Sequence, residues 1–159
     1  MSEQDLSVAA ALGRIPSGVF VLSARRGAEA TGMLASWVQQ CAFDPPHVSV
    51  VILRERYINA WLAPGEAFVL NVVSEADKTL VAHFGRGFAR GEPAFQGLDV
   101  HQSGSEQPIL ARALAHLECA VVERVASGDH DLIVARVTAG AMHGEGQPMI
   151  HVRKNGFKY

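Results

Sequence analysis

The chain alternates short apolar runs with turn-forming residues, and the spacing inside each run separates helices from strands. Leu6, Ala9, Ala10, Leu12 and Ile15 recur at helical intervals, predicting an amphipathic helix over Leu6–Ile15 that Pro16-Ser17-Gly18 ends. Val19–Ala24 reads as a strand, Arg25–Glu29 as a hairpin loop and Ala30–Cys41 as one long second strand. Pro45-Pro46 stops that run, because proline lacks a donor and restricts the residue before it. His47–Leu53 is nearly all β-branched or apolar, the pattern of a central strand. Tyr57–Leu62 reads as a short helix ended by Pro64-Gly65, Phe68–Val73 as a buried strand, and Glu75–Phe84 as a helix N-capped by Ser74.

The pattern then lapses. Gly85 to Pro108 holds five Gly and two Pro with little periodicity, and long loops in compact domains are often functional. Alternation resumes over Ala115–Ala126, with Leu117, Cys119, Val121 and Val125 on one face. Ser127-Gly128-Asp129 turns the chain into a strand over Leu132–Ala141, and Met149–Arg153 reads as the last strand. Six or seven strands, short helices and mostly antiparallel connections predict an α+β fold around a barrel, with residues 1–159 forming a single domain.

Composition narrows the function classes. Of 159 residues, 48% are hydrophobic and 19% charged, and the formal net charge is -2. That balance argues against broad binding to nucleic acid or anionic membranes and leaves room for a local basic pocket. Arginine supplies 11 of the 14 basic residues and suits bidentate phosphate contacts. The segment Met1-Ser2-Glu3-Gln4-Asp5 is acidic, unlike a signal peptide, and no apolar run approaches the roughly 20 residues a bilayer demands, so a cytoplasmic protein is expected. Cys41 and Cys119 lie in apolar strand-like runs, which predicts two buried free thiols.

The chain has no P-loop, no HExxH and no GxSxG, and its seven His are scattered without metal-ligand spacing. Gly32–Pro46 is more informative. Small residues alternate with large ones there, and small side chains on a strand let a flat ligand lie against backbone N–H and C=O groups. The stretch therefore suggests a planar heterocycle bound to a sheet. Arg54, Arg56 and Asn59 cluster after the apolar strand, where a helix start and charge-assisted bonds favour phosphate, although a solvated loop with Glu55 pairing one Arg is the plain alternative. His130, in the turn Gly128-Asp129-His130-Asp131, can titrate and meet a ligand at a barrel rim. Arg153-Lys154 and Lys158-Tyr159 bring cations and an aromatic ring to the end of the chain.

Taken together, Leu34-Ala35-Ser36-Trp37-Val38, Asp44-Pro45-Pro46, Phe68-Val69-Leu70-Asn71-Val72 and Gly128-Asp129-His130 resemble the flavin reductase-like family, the FMN-binding split barrel, over about Gly13 to Tyr159. Met33–Gln40, Phe88–Glu92, Leu117-Glu118-Cys119 and His151–Lys154 are similar to the flavin reductase module of cyanobacterial flavodiiron proteins. The resemblance implies an α+β split β-barrel, mostly antiparallel with short peripheral helices, forming a homodimer that holds FMN or FAD and is reduced by NADH or NADPH. It implies that Met33, Leu34, Ala35, Ser36 and Trp37 line the isoalloxazine, and that Gln40 and Ala42 continue its edge. Arg54, Arg56 and Asn59 would hold the phosphate, Phe84, Phe88 and Tyr159 would border the pocket, and His130 would be the catalytic residue facing nicotinamide or flavin. No metal is implied. Two positions depart from the common family pattern, which has Thr or Ser at Leu34 and Ser at Gln40.

The activity implied is NAD(P)H:flavin oxidoreduction, with electrons passed to a flavodiiron protein, a monooxygenase or another acceptor. Hydride chemistry belongs to the cofactor, so such a protein needs to bind, orient and tune, and no dedicated acid–base pair is required. The alternative is a flavin- or haem-binding barrel without turnover, serving as a carrier or sensor. Pyridoxamine-phosphate oxidase-like chemistry on the same barrel finds no support in the local motifs.

Overall fold

The computed structural model describes residues 1–159. In chain order the elements are α1 (Glu3–Leu12), β1 (Ser17–Gly18), β2 (Phe20–Arg26), β3 (Glu29–Ala35), β4 (Val38–Phe43), β5 (Pro46–Leu53), a 3-10 turn (Tyr57–Trp61), β6 (Ala67–Val72), α2 (Lys78–Gly85), β7 (Val100–Gln102), β8 (Pro108–Leu110), β9 (Ala115–Ser127), β10 (His130–Met142) and β11 (Ile150–His151). Seven strands form one antiparallel sheet in the order β3-β2-β6-β9-β10-β5-β4, and β1–β11 and β7–β8 form two small ribbons.

The long second strand predicted over Ala30–Cys41 is two strands. β3 pairs with β2 at one edge of the sheet and β4 with β5 at the other, yet only Ser36 and Trp37 separate them. Opposite edges joined by two residues require the sheet to curl until its edges meet, and Val51 N–H donates to Trp37 C=O (3.0 Å), carrying the β4–β5 ladder up to that short link. The result is a barrel split between β3 and β4. The diproline then marks a hairpin: Asp44 and Pro45 form the turn, and Pro46 starts β5 opposite Phe43.

Period-two alternation divides the core. On β2, Leu22 and Ala24 face into the barrel with Val50, Ile52, Phe68, Leu70 and Ile133, whereas Val21 faces outward onto Leu80 and Phe84 of α2. Asn71, in the Phe68–Val72 motif, pins β8 to the sheet. Its Nδ2 donates to Val21 C=O (3.0 Å) and Ser23 Oγ (2.9 Å), its Oδ1 accepts from Leu110 N–H (2.8 Å), and Ser23 Oγ donates to Pro108 C=O (2.5 Å).

Several expectations are corrected. Helix α1 begins earlier than predicted because Ser2 and Asp5 form a reciprocal capping box. It buries Ala9 and Gly13 and leaves Leu6, Leu12 and Ile15 exposed, because the terminal segment packs on its small residues and Gly156 N–H donates to Ala9 C=O (2.7 Å). Helix α2 is capped by Asp77, whose carboxylate accepts from Thr79 N–H (3.0 Å) and Leu80 N–H (3.2 Å), while Ser74 belongs to the preceding turn. Cys119 is buried but Cys41 is exposed, at a bulge on the β4 edge. No helix is long and apolar enough to cross a membrane.

Candidate functional site

A cavity of about 460 Å³ opens where the barrel splits, within the size range of small-molecule sites. One wall is β3 from Thr31 to Ala35, continued by Ser36 and Trp37. Val51, Leu53, Tyr57 and Ile58 from β5 and the 3-10 turn, Val81 and Phe84 from α2 with Phe88 beyond it, and Met149, His151, Arg153 and Tyr159 from the terminal segment complete the lining. Because β3 ends the sheet, one of its two rows of N–H and C=O groups has no strand partner and is free to read a ligand edge.

Small residues set this shape. A Cβ on Gly32 would lie 2.7 Å from Phe84 Cε1, so glycine is what lets α2 sit against β3. Gly87 has φ +73°, and a Cβ there would stand 3.7 Å from an Arg56 guanidinium nitrogen. That leaves Arg56 an uncrowded position at the rim beside a bare stretch of backbone. Arg153 places its guanidinium 5.0 Å from the Trp37 ring centroid. Thr31 and Tyr57 are tied across the cavity wall by a Tyr57 O–H to Thr31 Oγ1 bond (2.5 Å).

Of the residues expected at the site, Met33, Leu34, Ala35, Ser36, Trp37, Arg56, Phe84, Phe88 and Tyr159 all line this cavity. Gln40 and Ala42 do not: past Trp37 the chain crosses to the other edge, and β4 runs away along β5 with Gln40 exposed. Arg54 and Asn59 also lie outside the cavity, because both are consumed by a partly buried charge network around Asp131. Arg54 Nε donates to Asp131 Oδ1 (3.1 Å), and Arg124 donates to Asp131 Oδ2 (2.9 Å), to Asn59 C=O (2.9 Å) and to Asn59 Oδ1. Asn59 Nδ2 donates back to Ile52 C=O (3.2 Å). Burial pushes the Asp131 carboxyl up, but the bonds from Arg54, Arg124 and Asn59 outweigh it and hold it below the usual carboxylate range.

That network clamps the turn bearing His130. Arg54 donates to His130 C=O (3.2 Å) through its guanidinium and to Asp129 C=O (3.0 Å) through its backbone N–H. The His130 ring lies behind the lining, 4.9 Å from the Trp37 ring centroid, with Nε2 2.6 Å from the Tyr159 hydroxyl and Nδ1 2.5 Å from Asp129 Oδ1. His130 thus reaches the cavity through Tyr159. Sequence reasoning missed Thr31, Tyr57, Gly87 and Arg153 as parts of this lining. The positive φ at Gly87 left a trace in the Gly85-Arg86-Gly87 pair, but no local signal brings Tyr57 to Thr31.

The chain matches the model of the flavin reductase like domain over residues 12–158. It is 36% identical over 157 residues to diflavin flavoprotein A 1 of Synechocystis sp., covering 98% of this chain and 27% of that protein. The chain spans about a quarter of the length of the curated relatives it matches. Among solved structures, the NADH:FAD oxidoreductase SgcE6 of Streptomyces globisporus C-1027 superposes with a TM-score of 0.81 at 23% identity, covering 97% of this chain and 86% of that one. The styrene monooxygenase flavin reductase of Pseudomonas putida S12 gives 0.75 at 27% identity, covering 90% of each. Both likenesses support the split-barrel architecture.

Proposed function

We propose, from the premise that the chain belongs to the flavin reductase-like family, that it is an NAD(P)H-dependent flavin oxidoreductase whose cavity takes FMN. The observation that carries this reading is the open edge of β3, running through Ser36 and Trp37 along one side of an apolar cavity with Arg56 and Arg153 at its rim. The donor set fits the group. A flat heteroaromatic ring has polar edges and apolar faces, so it matches unpaired backbone groups on one side and Met33, Leu53 and Phe84 around it. A phosphate matches the exposed Arg56 beside the glycine backbone.

Bound there, the flavin would supply hydride acceptance from nicotinamide and onward release of electrons. This chain supplies binding and orientation. Ser36 and the β3 backbone orient the ring, Arg56 and Arg153 hold negative charge, and Trp37 and Tyr159 shield the face toward the terminal segment. A neighbour solved with NAD and FAD fragments supports a nicotinamide co-substrate and leaves room for FAD in place of FMN. Flavodiiron relatives and monooxygenase reductases support an electron-accepting protein partner. The same reading makes the protein a homodimer. Exposed Phe43 on β4 and Val122 and Val125 on β9 offer apolar surface for the second copy.

Titration of the purified protein with FMN, FAD and riboflavin, followed by flavin fluorescence, tests the assignment. Tight binding of FMN with much weaker binding of riboflavin supports a ring slot with a phosphate anchor. Equal affinity for FMN and riboflavin would remove the phosphate from the account, and no binding of any flavin would overturn it.

A further inference from the structure

His130, only 9% exposed, links solvent to the cavity. Its Nδ1 meets Asp129 Oδ1 at 2.5 Å and its Nε2 meets the Tyr159 hydroxyl at 2.6 Å. The Asp129 side chain is 82% exposed, whereas Tyr159 lines the cavity. The chemistry of the groups fixes the direction of the Asp129 bond, and a neutral imidazole then sets that of the Tyr159 bond. A carboxylate only accepts, so Nδ1 carries the ring proton. Nε2 of the neutral imidazole then accepts from the Tyr159 O–H. Two further effects favour this resting state. The bond from His130 holds the Asp129 carboxyl below the usual range. Burial, with Asp129 adding to it, holds the Tyr159 phenol above its ordinary value against the opposing Arg56 and Arg153 guanidinia.

We propose that Tyr159, His130 and Asp129 form a one-proton transfer unit for the ligand in the cavity, with Tyr159 the contacting acid–base group, His130 its proton store and Asp129 the counter-ion. The proposal rests on the flavin reading for the identity of the ligand, though not for the geometry. When an N–H or O–H of the ligand ionises, its proton forms a new O–H bond at Tyr159 Oη while the phenol's own proton moves to His130 Nε2. The ligand loses one positive charge and the imidazole gains it beside the Asp129 carboxylate. The reverse step returns the proton, and no electrons pass through the unit. Flavin reduction and reoxidation change the number of protons on the ring system, so a cavity wall that stores one proton suits that cycle. The role is distinct from that of Arg56, which holds charge and cannot exchange a proton.

Two measurements test the unit. In the protein without flavin, nitrogen NMR of His130 is expected to show a protonated Nδ1 and a bare, hydrogen-bonded Nε2 whose resonance moves in Tyr159→Phe. An Nε2 resonance identical in the two proteins overturns the proposal. In FMN-loaded protein reduced photochemically, reoxidation by ferricyanide is compared in H2O and D2O with reduction by NADH. In Tyr159→Phe the ratio of reoxidation rate to reduction rate is expected to fall about tenfold, below the usual range of general acid–base effects because water can substitute in part. The solvent isotope effect on reoxidation is expected to shrink in the same variant. Asp129→Asn should give a smaller loss of the same kind. A purely structural role would slow both half-reactions together, and that result overturns the unit. Protein that binds no FMN defeats the flavin reading, and the NMR measurement then decides the unit by itself.

Discussion

Arg56 is solvent-exposed at the cavity rim, whereas Asn59, one turn further on, is 2% exposed and bonded at both ends of its amide. Substituting each with Ala therefore has different consequences. Arg56→Ala is expected to weaken FMN binding about tenfold, the low end for a charge-assisted contact because the guanidinium is screened by water. Its melting temperature should stay near wild type. Asn59→Ala removes one acceptor from Arg124 and the side-chain donor to the Ile52 carbonyl in a buried position, and is expected to cost about 1–3 kcal/mol of stability. Urea unfolding measures this, and a loss of FMN affinity without loss of stability would contradict the assignment. The sequence showed that Arg54, Arg56 and Asn59 were neighbours after a buried strand. It could not show that Asp131, far along the chain, takes Arg54 directly and Asn59 through Arg124, because that pairing follows from the register of β10 on β5, where His130 faces Leu53.

Strand β3 and helix α2 meet through Gly32, where no side chain separates backbone from the Phe84 ring. Gly32→Ala forces that ring or the helix to move and is expected to destabilise by about 1–3 kcal/mol, the usual cost of overpacking, measurable by denaturant unfolding. A second prediction concerns β9 and the end of β10. His116 Nδ1 lies 2.7 Å from His143 Nε2, the rings stack at 13°, and Glu118 stands 3.8 Å from His116 Nε2. Burial, then the neighbouring His143, lowers the His116 pKa below its ordinary 6.5, with Glu118 opposing. The unfolded chain therefore binds a proton more readily than the folded one. Stability from this group is complete above about 6.5 and falls as pH drops toward the folded value. His116→Gln should flatten that limb in a series of thermal melts, and an unchanged slope between wild type and variant would contradict it. Strand content was legible from alternation almost throughout. Element ends were not, since Ser2 with Asp5 and Asp77 won the caps through hydrogen bonds that the apolar pattern does not encode.

At the scale of the whole barrel, the stretch Gly32–Pro46 holds the lesson about legibility. Its alternation of small and large residues marks a ligand wall, but the same pattern predicts one strand over Ala30–Cys41. The fold makes it two, pairing with opposite edges of one curled sheet. Only closure of the sheet explains why Ser36 and Trp37 line the cavity while Gln40 and Ala42 lie outside it. The terminal segment was equally hidden. Gly13 and Gly156 pack back to back, which brings Arg153 and Tyr159 over the cavity from the far end of the chain. The central claim is that this cavity holds a flavin that nicotinamide can reach and reduce. The most direct test is anaerobic mixing of FMN-loaded protein with NADH and, separately, NADPH while flavin absorbance is followed. The account predicts rapid bleaching with at least one nucleotide. Protein that binds FMN and stays fully oxidised with both would contradict it and point to a carrier.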